Sequence, residues 1–336
     1  MKVGILHFGQ PFARQVLAEV EKRVPGQVVA MDLSDPHGRL SIDAHSLSWQ
    51  GEELSTLEKV WVHGFHYTNP VIPTPEEGTD WSIWQFGYLA EQQKFSATFS
   101  LLTELVRRGV EVWHGPQLYL LDFMKHSQLS LLARKGLAVP DMVCVNTLQD
   151  AEAFCRQDFQ VVWRPATGRG AWQLFMQKQM LALADPGKTP ILLAEVKPGE
   201  LLRIWILNGR PLLAMRQFAP ADHAPHESLE RMQIVPYIPQ ADAVEEAAAT
   251  LGLQWGVMTC IHDGERVTFY DVDPDPIVSW LPAPHRQTLT TALAAALSDD
   301  QLPPISYDPL PLERPNLFLR RMTRILYEFE NSKYRN

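Results

Sequence analysis

The chain has 336 residues, a formal net charge of −9, 46% hydrophobic residues and 21% charged residues. Because a single hydrophobic core rarely organises a chain of this length, we expect two or three packed lobes of a globular protein. The acidic balance argues against nonspecific binding to nucleic acid or anionic membranes, and no apolar run approaches the roughly 18 residues that a membrane-spanning helix needs.

The chain contains only three cysteines, Cys144, Cys155 and Cys260, and their spacing fits no metal-binding pattern. A globular protein with so few cysteines is typical of a reducing compartment and has no disulfide framework. The apolar run at the N-terminus, "KVGILHF", is too short for a signal peptide. We therefore expect a cytoplasmic protein.

Strand and helix patterns alternate over residues 1–115. The apolar runs "KVGILHF", "QVVAMDL" and "LEKVWVHGFHY" predict buried strands, and a helix is predicted after the first of them. A long helical pattern ends at Gly109, whose residue type is common just after a helix. This alternation predicts an N-terminal lobe built on a parallel sheet.

Two further units follow, predicted at residues 116–190 and 191–336. The first has the helical run "LDFMKHSQLSLLARKG", a helix capped by Thr147, the strand "FQVVWRP" and the glycine-containing loop "ATGRGA". The second has three strand patterns, "PILLAEV", "LLRIWILNG" and "RPLLAMRQFA", then the helix "ADAVEEAAATLG". The pair Asp263-Gly264 predicts a hairpin turn, and the tail predicts an amphipathic helix.

Acidic residues end the last predicted strand, in the stretch "YDVDPDP". Asp271 and Asp273 would project from the same face, because alternate residues of a strand share a face. Two such carboxylates repel each other unless a cation lies between them, and Mg²⁺ prefers oxygen ligands. A turn that terminates the strand explains the same residues equally well, and Asp275 fits the turn better than a ligand.

Several basic residues could face a phosphate. Arg164 and Arg169 flank or lie in the glycine loop, where backbone N–H groups can approach anions, although such a loop is also typical of a hairpin turn. Lys125 lies in a helical run, where a lone lysine usually faces solvent. Arg203 interrupts an apolar strand, which favours a position facing a cleft.

The order of these features resembles the ATP-grasp superfamily, in particular its RimK-like and glutathione-synthetase-like carboxylate–amine ligases. A helix lysine precedes "GLAVP", a strand ending in "WRP" precedes a glycine loop, and a hairpin ends in "YDVDPDP". The resemblance extends to about residue 280. It implies an α/β (α+β) fold in which an N-terminal parallel lobe precedes two lobes that enclose a nucleotide.

The resemblance also implies positions that bind ATP. Lys125 corresponds to a lysine near the α-phosphate, and Arg164 stands where the family has a second lysine. Residues 168–171 correspond to a lid over the β- and γ-phosphates, and the segment at Glu195 corresponds to a hinge whose backbone holds adenine. The residues implied to bind nucleotide are Lys125, Arg164, Gly168, Arg169, Gly170, Glu195 and Val196.

Catalytic and metal positions follow in the same way. Arg203 resembles the arginine that stabilises the γ-phosphate and an acyl-phosphate intermediate. Asp271 and Asp273 fall where the family has glutamate and asparagine as magnesium ligands. Arg216 is a candidate for holding the acceptor or the acyl phosphate, and a salt-paired surface arginine is the alternative.

The chain departs from the family at several of these positions. Arg164 replaces a point charge with a planar fork. Asp271 is one methylene shorter than glutamate, and Asp273 adds a charge where asparagine is neutral. Thr259 stands where a third acidic ligand is usual, and Leu201 stands where many relatives have an aspartate near the ribose.

The expected activity is an ATP- and Mg-dependent ligation that joins a carboxylate to an amine through an acyl phosphate. The expected substrates are small-molecule or peptide carboxylates and amines, with no nucleic acid or membrane partner, and a homo-oligomer is compatible with this expectation. The departures keep two alternatives open. One is a catalytically degenerate protein that binds nucleotide or has a regulatory role, and the other is a phosphotransferase with the same fold.

Four histidines could take part in such a site. His63 and His66 fit structural roles best, and if they are functional they would line the acceptor side. His223 and His226 belong to a predicted loop, for which solvent exposure is the more ordinary expectation.

Overall fold

The computed structural model describes residues 2–64, 81–156, 160–166, 172–175, 190–217 and 232–305. Within these ranges no helix combines the length and the apolar character required to cross a bilayer. Several predictions fall outside the described residues. These are the tail helix, the glycine loop with Gly168, Arg169 and Gly170, and the histidines His66, His223 and His226.

The N-terminal lobe is built on a four-stranded parallel sheet with strand order β2-β1-β6-β7. Its strands are β1 (Val3–His7), β2 (Val28–Asp32), β6 (Lys59–His63) and β7 (Glu111–Trp113), and its helices are α1 (Pro11–Arg23) and α2 (Trp81–Arg107). β3 (Leu40–Ile42), β4 (Leu47–Trp49) and β5 (Glu52–Glu53) form a small antiparallel sheet. The main sheet confirms the predicted parallel α/β lobe.

A second sheet is antiparallel and has the order β10-β9-β11-β8. The elements from this part of the chain are α3 (Pro116–Phe123), α4 (Lys125–Arg134), β8 (Met142–Val145), α5 (Leu148–Cys155), β9 (Val161–Pro165), β10 (Gln173–Leu174) and β11 (Ile191–Glu195). The Thr147 side chain accepts a hydrogen bond from the backbone of Asp150, as expected for a helix cap. The boundary predicted after residue 190 separates β11 from the strands with which it pairs.

The third sheet is antiparallel, with five strands in the order β14-β13-β12-β15-β16. Its elements are β12 (Glu200–Leu207), β13 (Arg210–Gln217), β14 (Met232–Val235), α6 (Ala241–Leu251), β15 (Trp255–His262), β16 (Val267–Asp273) and α7 (Ala283–Leu297). At the turn between β15 and β16, the Asp263 carboxylate accepts hydrogen bonds from the backbone of Glu265 and Arg266. This turn confirms the predicted hairpin.

The two faces of the five-stranded sheet contact different parts of the chain. One face carries Trp205 and Trp255, which share a core with Trp61 of the N-terminal lobe and with α7. The other face carries Ile204 and Met258, which pack with residues of α4 and α6. Helix α4 therefore lies against the sheet that ends in β16. This contact places the first residue of the helix, Lys125, next to the acidic end of β16.

Candidate active site

A bulge in β16 determines which side chains face the junction of the second and third sheets. Asp271 pairs with Thr259 and Phe269 pairs with Cys260, so Tyr270 has no residue directly opposite. Regular alternation would separate Tyr270 from Asp271, but the bulge directs both to the face that carries Thr259. Asp273 pairs with Val257 and so shares the face of Asp271, as the strand period predicted.

The Asp271 carboxylate lies between two basic side chains. Its Oδ1 is 2.8 Å from Nζ of Lys125, and its Oδ2 is 2.9 Å from Nη1 of Arg164. Burial alone would raise the pKa of Asp271, but the charges of Arg164 and Lys125 outweigh it and hold that pKa well below its usual range. Asp271 is therefore ionised at neutral pH.

Lys125 is almost completely buried, against the general expectation for a lone helix lysine. Its ammonium group donates to Asp122 Oδ1 at 2.5 Å and to the carbonyl oxygen of Val272 at 2.9 Å. Burial lowers the pKa of Lys125, whereas the carboxylates of Asp122 and Asp271 raise it, and the net result is a raised pKa. Lys125 is therefore a permanently charged group fixed in place by three oxygen contacts.

Gln128 holds β16 against α4 and was not identified from the sequence. Its side-chain amide donates to the carbonyl oxygen of Val272 at 2.8 Å and accepts from the Val272 N–H at 3.1 Å. Helical spacing places Gln128 on the buried face with Lys125 and Leu132, which is the pattern that could have revealed it. The strand next to Asp271 is thus fixed by side-chain bonds from α4.

Arg164 reaches the cluster from the second sheet. The residue is 1% exposed, and its guanidinium carbon lies 5.5 Å from the ring centroid of Trp172. Such stacking suits a planar, weakly hydrated cation better than an ammonium group. Lys125, Arg164 and Asp271 therefore come together from α4, β9 and β16.

Arg203 belongs to the same row of the large sheet. It pairs with Thr259, which pairs in turn with Asp271, so these three residues stand side by side on one face. Arg203 is half-buried, and its position facing a cleft stays a prediction. Thr259 lies directly opposite Asp271, and the described part of the chain contains no group of three or more side chains suited to a metal.

Arg216 lies on the opposite face of the sheet. Along β13 it follows Met215, which pairs with Arg203, so the side chains of Arg216 and Arg203 point to different faces. Arg216 itself pairs with Leu202. Its guanidinium forms an ion pair with Glu200 and donates to the Tyr237 hydroxyl at 3.2 Å. This arrangement favours the salt-paired alternative, and a catalytic role for Arg216 stays a prediction.

The segment after β11 joins the second sheet to the third. The N–H of Glu195 bonds to the carbonyl of Asp141 and the N–H of Val196 bonds to that of Gln160, which anchors the segment to the second sheet. The Tyr270 hydroxyl donates to the Glu195 carbonyl at 2.8 Å and accepts from the Lys197 N–H at 2.8 Å. Burial raises the pKa of Tyr270, so its hydroxyl stays neutral and can serve in both bonds.

Asp275 has a buried structural role that the sequence did not indicate. Its carboxylate is 2.6 Å from Nδ1 of His63 and accepts a bond from the Gly64 N–H at 2.9 Å. These contacts link the end of β16 to the carboxyl end of β6 in the N-terminal lobe. His63 therefore takes part in a structural contact between two lobes, which is the kind of role that its sequence context favoured.

The charges of the cluster determine what it can hold. Two cations, Lys125 and Arg164, are balanced by two carboxylates, Asp122 and Asp271, while Asp273 and Arg203 lie at its edge. The charges of these four residues sum to zero, so a bound anion would bring unbalanced negative charge unless a cation accompanied it. Asp271 and Asp273 share one face of the sheet, and their role as Mg²⁺ ligands stays a prediction.

The fold is similar to that of solved ATP-grasp proteins. The ATP-grasp ligase PsnB, complexed with minimal precursor, Mg and ADP, has a TM-score of 0.69 and 16% identity, covering 88% of this chain and 97% of that chain. The macrocyclase MdnC from Microcystis aeruginosa MRC, bound with precursor peptide MdnA, has a TM-score of 0.66 and 16% identity, covering 89% of this chain and 99% of that chain.

A RimK domain ATP-grasp protein from Sphaerobacter thermophilus DSM 20745 has a TM-score of 0.57 and 12% identity, covering 90% of this chain and 100% of that chain. No family model matches the sequence, and no curated protein matches it. The similarity to these structures is one of fold.

Proposed function

Because this chain has the ATP-grasp fold, we propose that it is an ATP- and Mg-dependent ligase that joins a carboxylate to an amine. The observation that carries the proposal is the meeting of Lys125, Arg164 and Asp271. They come from three separate elements and converge at the junction of two antiparallel sheets. Buried charged groups with shifted pKa values, such as Lys125 and Asp271, are concentrated at functional sites, so this cluster favours a functional role.

Each side chain has a distinct task in this reaction. Lys125 and Arg164 would contact the phosphate oxygens of ATP, and Asp271 and Asp273 would hold Mg²⁺. The metal ion, when bound, neutralises charge on the phosphoryl oxygens. Arg203, in the same row as Asp271, would contact the phosphoryl group that is transferred. The protein contributes position and charge, and no nucleophilic side chain is required.

The reaction consists of two displacements at substrate atoms. A substrate carboxylate oxygen bonds to the γ-phosphorus of ATP while the bond to the β-phosphate oxygen breaks, which releases ADP and leaves an acyl phosphate. An amine nitrogen then bonds to the acyl carbon, the bond to phosphate breaks, and the amine loses a proton. The products are an amide, ADP and phosphate.

Binding of ATP requires Asp271 to exchange partners. Both of its oxygens contact cations of the protein, Lys125 and Arg164. If phosphate oxygens take over these cations, the carboxylate becomes free to contact Mg²⁺. Because the Asp271 side chain is still 17% exposed, an ion can approach it from solvent.

A peptide is the substrate class that we favour. PsnB was solved with a precursor and MdnC with the precursor peptide MdnA. This support comes from proteins of similar fold, which can host different substrates. We therefore propose that the carboxylate and the amine are both carried by peptides.

A second candidate function is nucleotide binding without ligation. Thr259 stands opposite Asp271, where a carboxylate would complete a metal site, and Leu201 is buried in an apolar cluster. A metal held by two carboxylates alone is less firmly fixed than one held by three. This candidate predicts binding of Mg·ATP with no product formation.

Product analysis separates the two functions. The protein is mixed with Mg·ATP, a synthetic peptide that carries Asp, Glu and Lys side chains, and hydroxylamine as a small amine that traps acyl phosphates. We expect ADP, phosphate and either a hydroxamate or a peptide that has lost one water by mass spectrometry. Binding of Mg·ATP with release of phosphate that needs no carboxylate would contradict ligation.

The matched variants are Arg203→Gln and Arg210→Gln. Arg203→Gln should lower kcat by about 100-fold, because a charge that stabilises the transferring phosphoryl group is lost. Arg210 is exposed at the start of β13, and its variant should keep the wild-type rate. Equal rates for the two variants would remove Arg203 from the mechanism.

A further inference from the structure

The backbone between β11 and β12 presents a pair of hydrogen-bonding groups to the junction of the two sheets. The Glu195 carbonyl and the Lys197 N–H both point to the Tyr270 hydroxyl, at 2.8 Å each. A carbonyl and an N–H two residues apart match a flat ligand edge that carries a donor beside an acceptor. The amino group and neighbouring ring nitrogen of an adenine form such an edge.

Tyr270 fills this position from the large sheet. The hydroxyl is able to donate one bond and accept another, so it satisfies both backbone groups. The residue is fully buried, and its ring packs edge-on against Trp172 with centroids 6.3 Å apart. Leu201 and Ile261 complete the apolar surroundings, so the ring occupies a dry, packed position.

This position adjoins the charged cluster. Tyr270 precedes Asp271 in the bulge of β16, and Trp172 contacts both Tyr270 and Arg164. A nucleotide whose phosphates reach Lys125 and Arg164 would therefore direct its base to the place that the Tyr270 side chain fills. The bulge is what brings the ring and the carboxylate to the same face.

We propose that the Tyr270 side chain closes the purine position of this site, so that the base binds only when the ring and its hydroxyl move away. This inference rests on the proposed function, because it takes the charged cluster as the phosphate site. Tyr270 then determines how much of the affinity for ATP comes from the base. In the wild-type protein the base must replace two hydrogen bonds that the protein already makes to itself.

In the wild-type protein the base is therefore expected to contribute little to the affinity for ATP. A bond from the purine to Glu195 or Lys197 gains little, since the same bond to Tyr270 is lost. Removing the hydroxyl leaves the two backbone groups without their buried partner, and an entering purine then satisfies them. The affinity for ATP should rise by about tenfold in Tyr270→Phe, which corresponds to one or two recovered hydrogen bonds.

The test compares ATP with a ligand that has phosphates and no base. Calorimetric titrations use Mg·ATP and Mg·tripolyphosphate with wild type, Tyr270→Phe, Tyr270→Leu and the control Tyr119→Phe. Tyr119 is a buried tyrosine of α3 that packs in the core of the N-terminal lobe and makes no contact in the proposed purine position. We expect wild type to bind the two ligands within about threefold of each other.

In Tyr270→Phe, ATP should bind about tenfold more tightly while tripolyphosphate binding is unchanged, and Tyr270→Leu, which also removes the ring, should gain at least as much. Tyr119→Phe should match the wild type for both ligands. Thermal unfolding of each variant establishes that it is folded before titration.

Other results overturn the proposal in distinguishable ways. If ATP binds Tyr270→Phe no better than wild type while both bind tripolyphosphate, the closed purine position is wrong and the phosphate site stands. If Tyr270→Phe binds ATP more weakly, the hydroxyl supports the base instead of excluding it. If no folded protein binds either ligand, the proposed function fails and this inference fails with it.

Discussion

Two carboxylates, Asp271 in β16 and Asp275 just after it, have different partners and different accessibility. Asp271 contacts Lys125 and Arg164, whose charges are permanent, and its side chain keeps 17% exposure. Asp275 contacts His63 and the backbone of Gly64, and its side chain is 0% exposed. The first carboxylate can be reached by an ion, whereas the second is sealed between the lobes.

The difference shows how one acidic stretch can serve two purposes. Asp271 links α4 and the second sheet to the large sheet through charges that a phosphate could also engage. Asp275 links the large sheet to the N-terminal lobe through the imidazole ring of His63 and the backbone N–H of Gly64. The stretch that looked like a simple alternation of aspartates therefore combines a candidate site with a structural joint, and variants can separate these roles.

The largest effect is expected for Asp271→Asn. The change leaves Lys125 and Arg164 buried with one carboxylate fewer, and an uncompensated buried charge should cost about 3 kcal/mol of unfolding free energy. Urea denaturation at neutral pH measures the loss. Asp242→Asn, at an exposed position in the first turn of α6, serves as the control and should stay within about 0.5 kcal/mol of wild type.

A loss below about 1 kcal/mol for Asp271→Asn would contradict the view that the two cations depend on this carboxylate. The same variant also sharpens the functional comparison. If Asp271 holds Mg²⁺, the variant should lose the Mg dependence of ATP binding in calorimetry, which a merely structural carboxylate would not change.

A smaller effect is expected for Asp275→Asn. The amide oxygen can still accept from the Gly64 N–H, so the change weakens only the contact with Nδ1 of His63. The expected loss is about 1–2 kcal/mol of unfolding free energy in the same urea experiment. A loss equal to that of Asp271→Asn would show that the contacts of Asp275 matter as much to stability as the ion pairs of Asp271.

The sequence predicted the order of the elements better than their long-range partners. The parallel N-terminal lobe and the Asp263 hairpin follow from local patterns, and the structure confirms both. The apolar run of β11 fits any sheet, because nothing in its residues specifies β8 and β9 as neighbours. The helix α7 was missed since it is apolar on most sides and has no clear amphipathic stripe.

The candidate site was predictable to the same degree. Lys125, Arg164 and Asp271 were identified by the order of the motifs, although their mutual distances needed the fold. Tyr270 was missed because the sequence of β16 alternates regularly, and a bulge depends on the partner strand. Asp275 was taken for a turn residue because it lies between prolines, and its partner His63 belongs to a remote lobe.

The smallest expected effect on the free energy of unfolding concerns His7. This residue ends β1 and lies beside His63 at the same edge of the parallel sheet. The Gly9 N–H donates to Nδ1 of His7 at 3.0 Å, so this nitrogen must be unprotonated. Burial lowers the pKa of His7 below its ordinary value, with Asp32 acting against the shift and Arg14 and His63 acting with it. The folded protein therefore binds a proton here less readily than the unfolded chain.

The sign of the pH dependence follows directly. Above the ordinary histidine pKa of about 6.5 neither state is protonated at His7, and the stability is complete. As the pH falls below that value the unfolded chain takes up the proton first, so stability is lost until the folded pKa is also passed. Urea midpoints between about pH 7.5 and pH 5 should therefore decrease in the wild type.

His7→Asn retains an acceptor for the Gly9 N–H and does not titrate, so its midpoint should fall less over the same range. The control is His37→Asn, at an exposed loop position, whose pH profile should follow the wild type. Parallel profiles for wild type and His7→Asn would show that His7 contributes nothing to the acid sensitivity of this edge. In Asp271→Asn the slope from pH 7.5 to pH 5 should stay that of the wild type, because the Asp271 carboxylate remains ionised throughout this range.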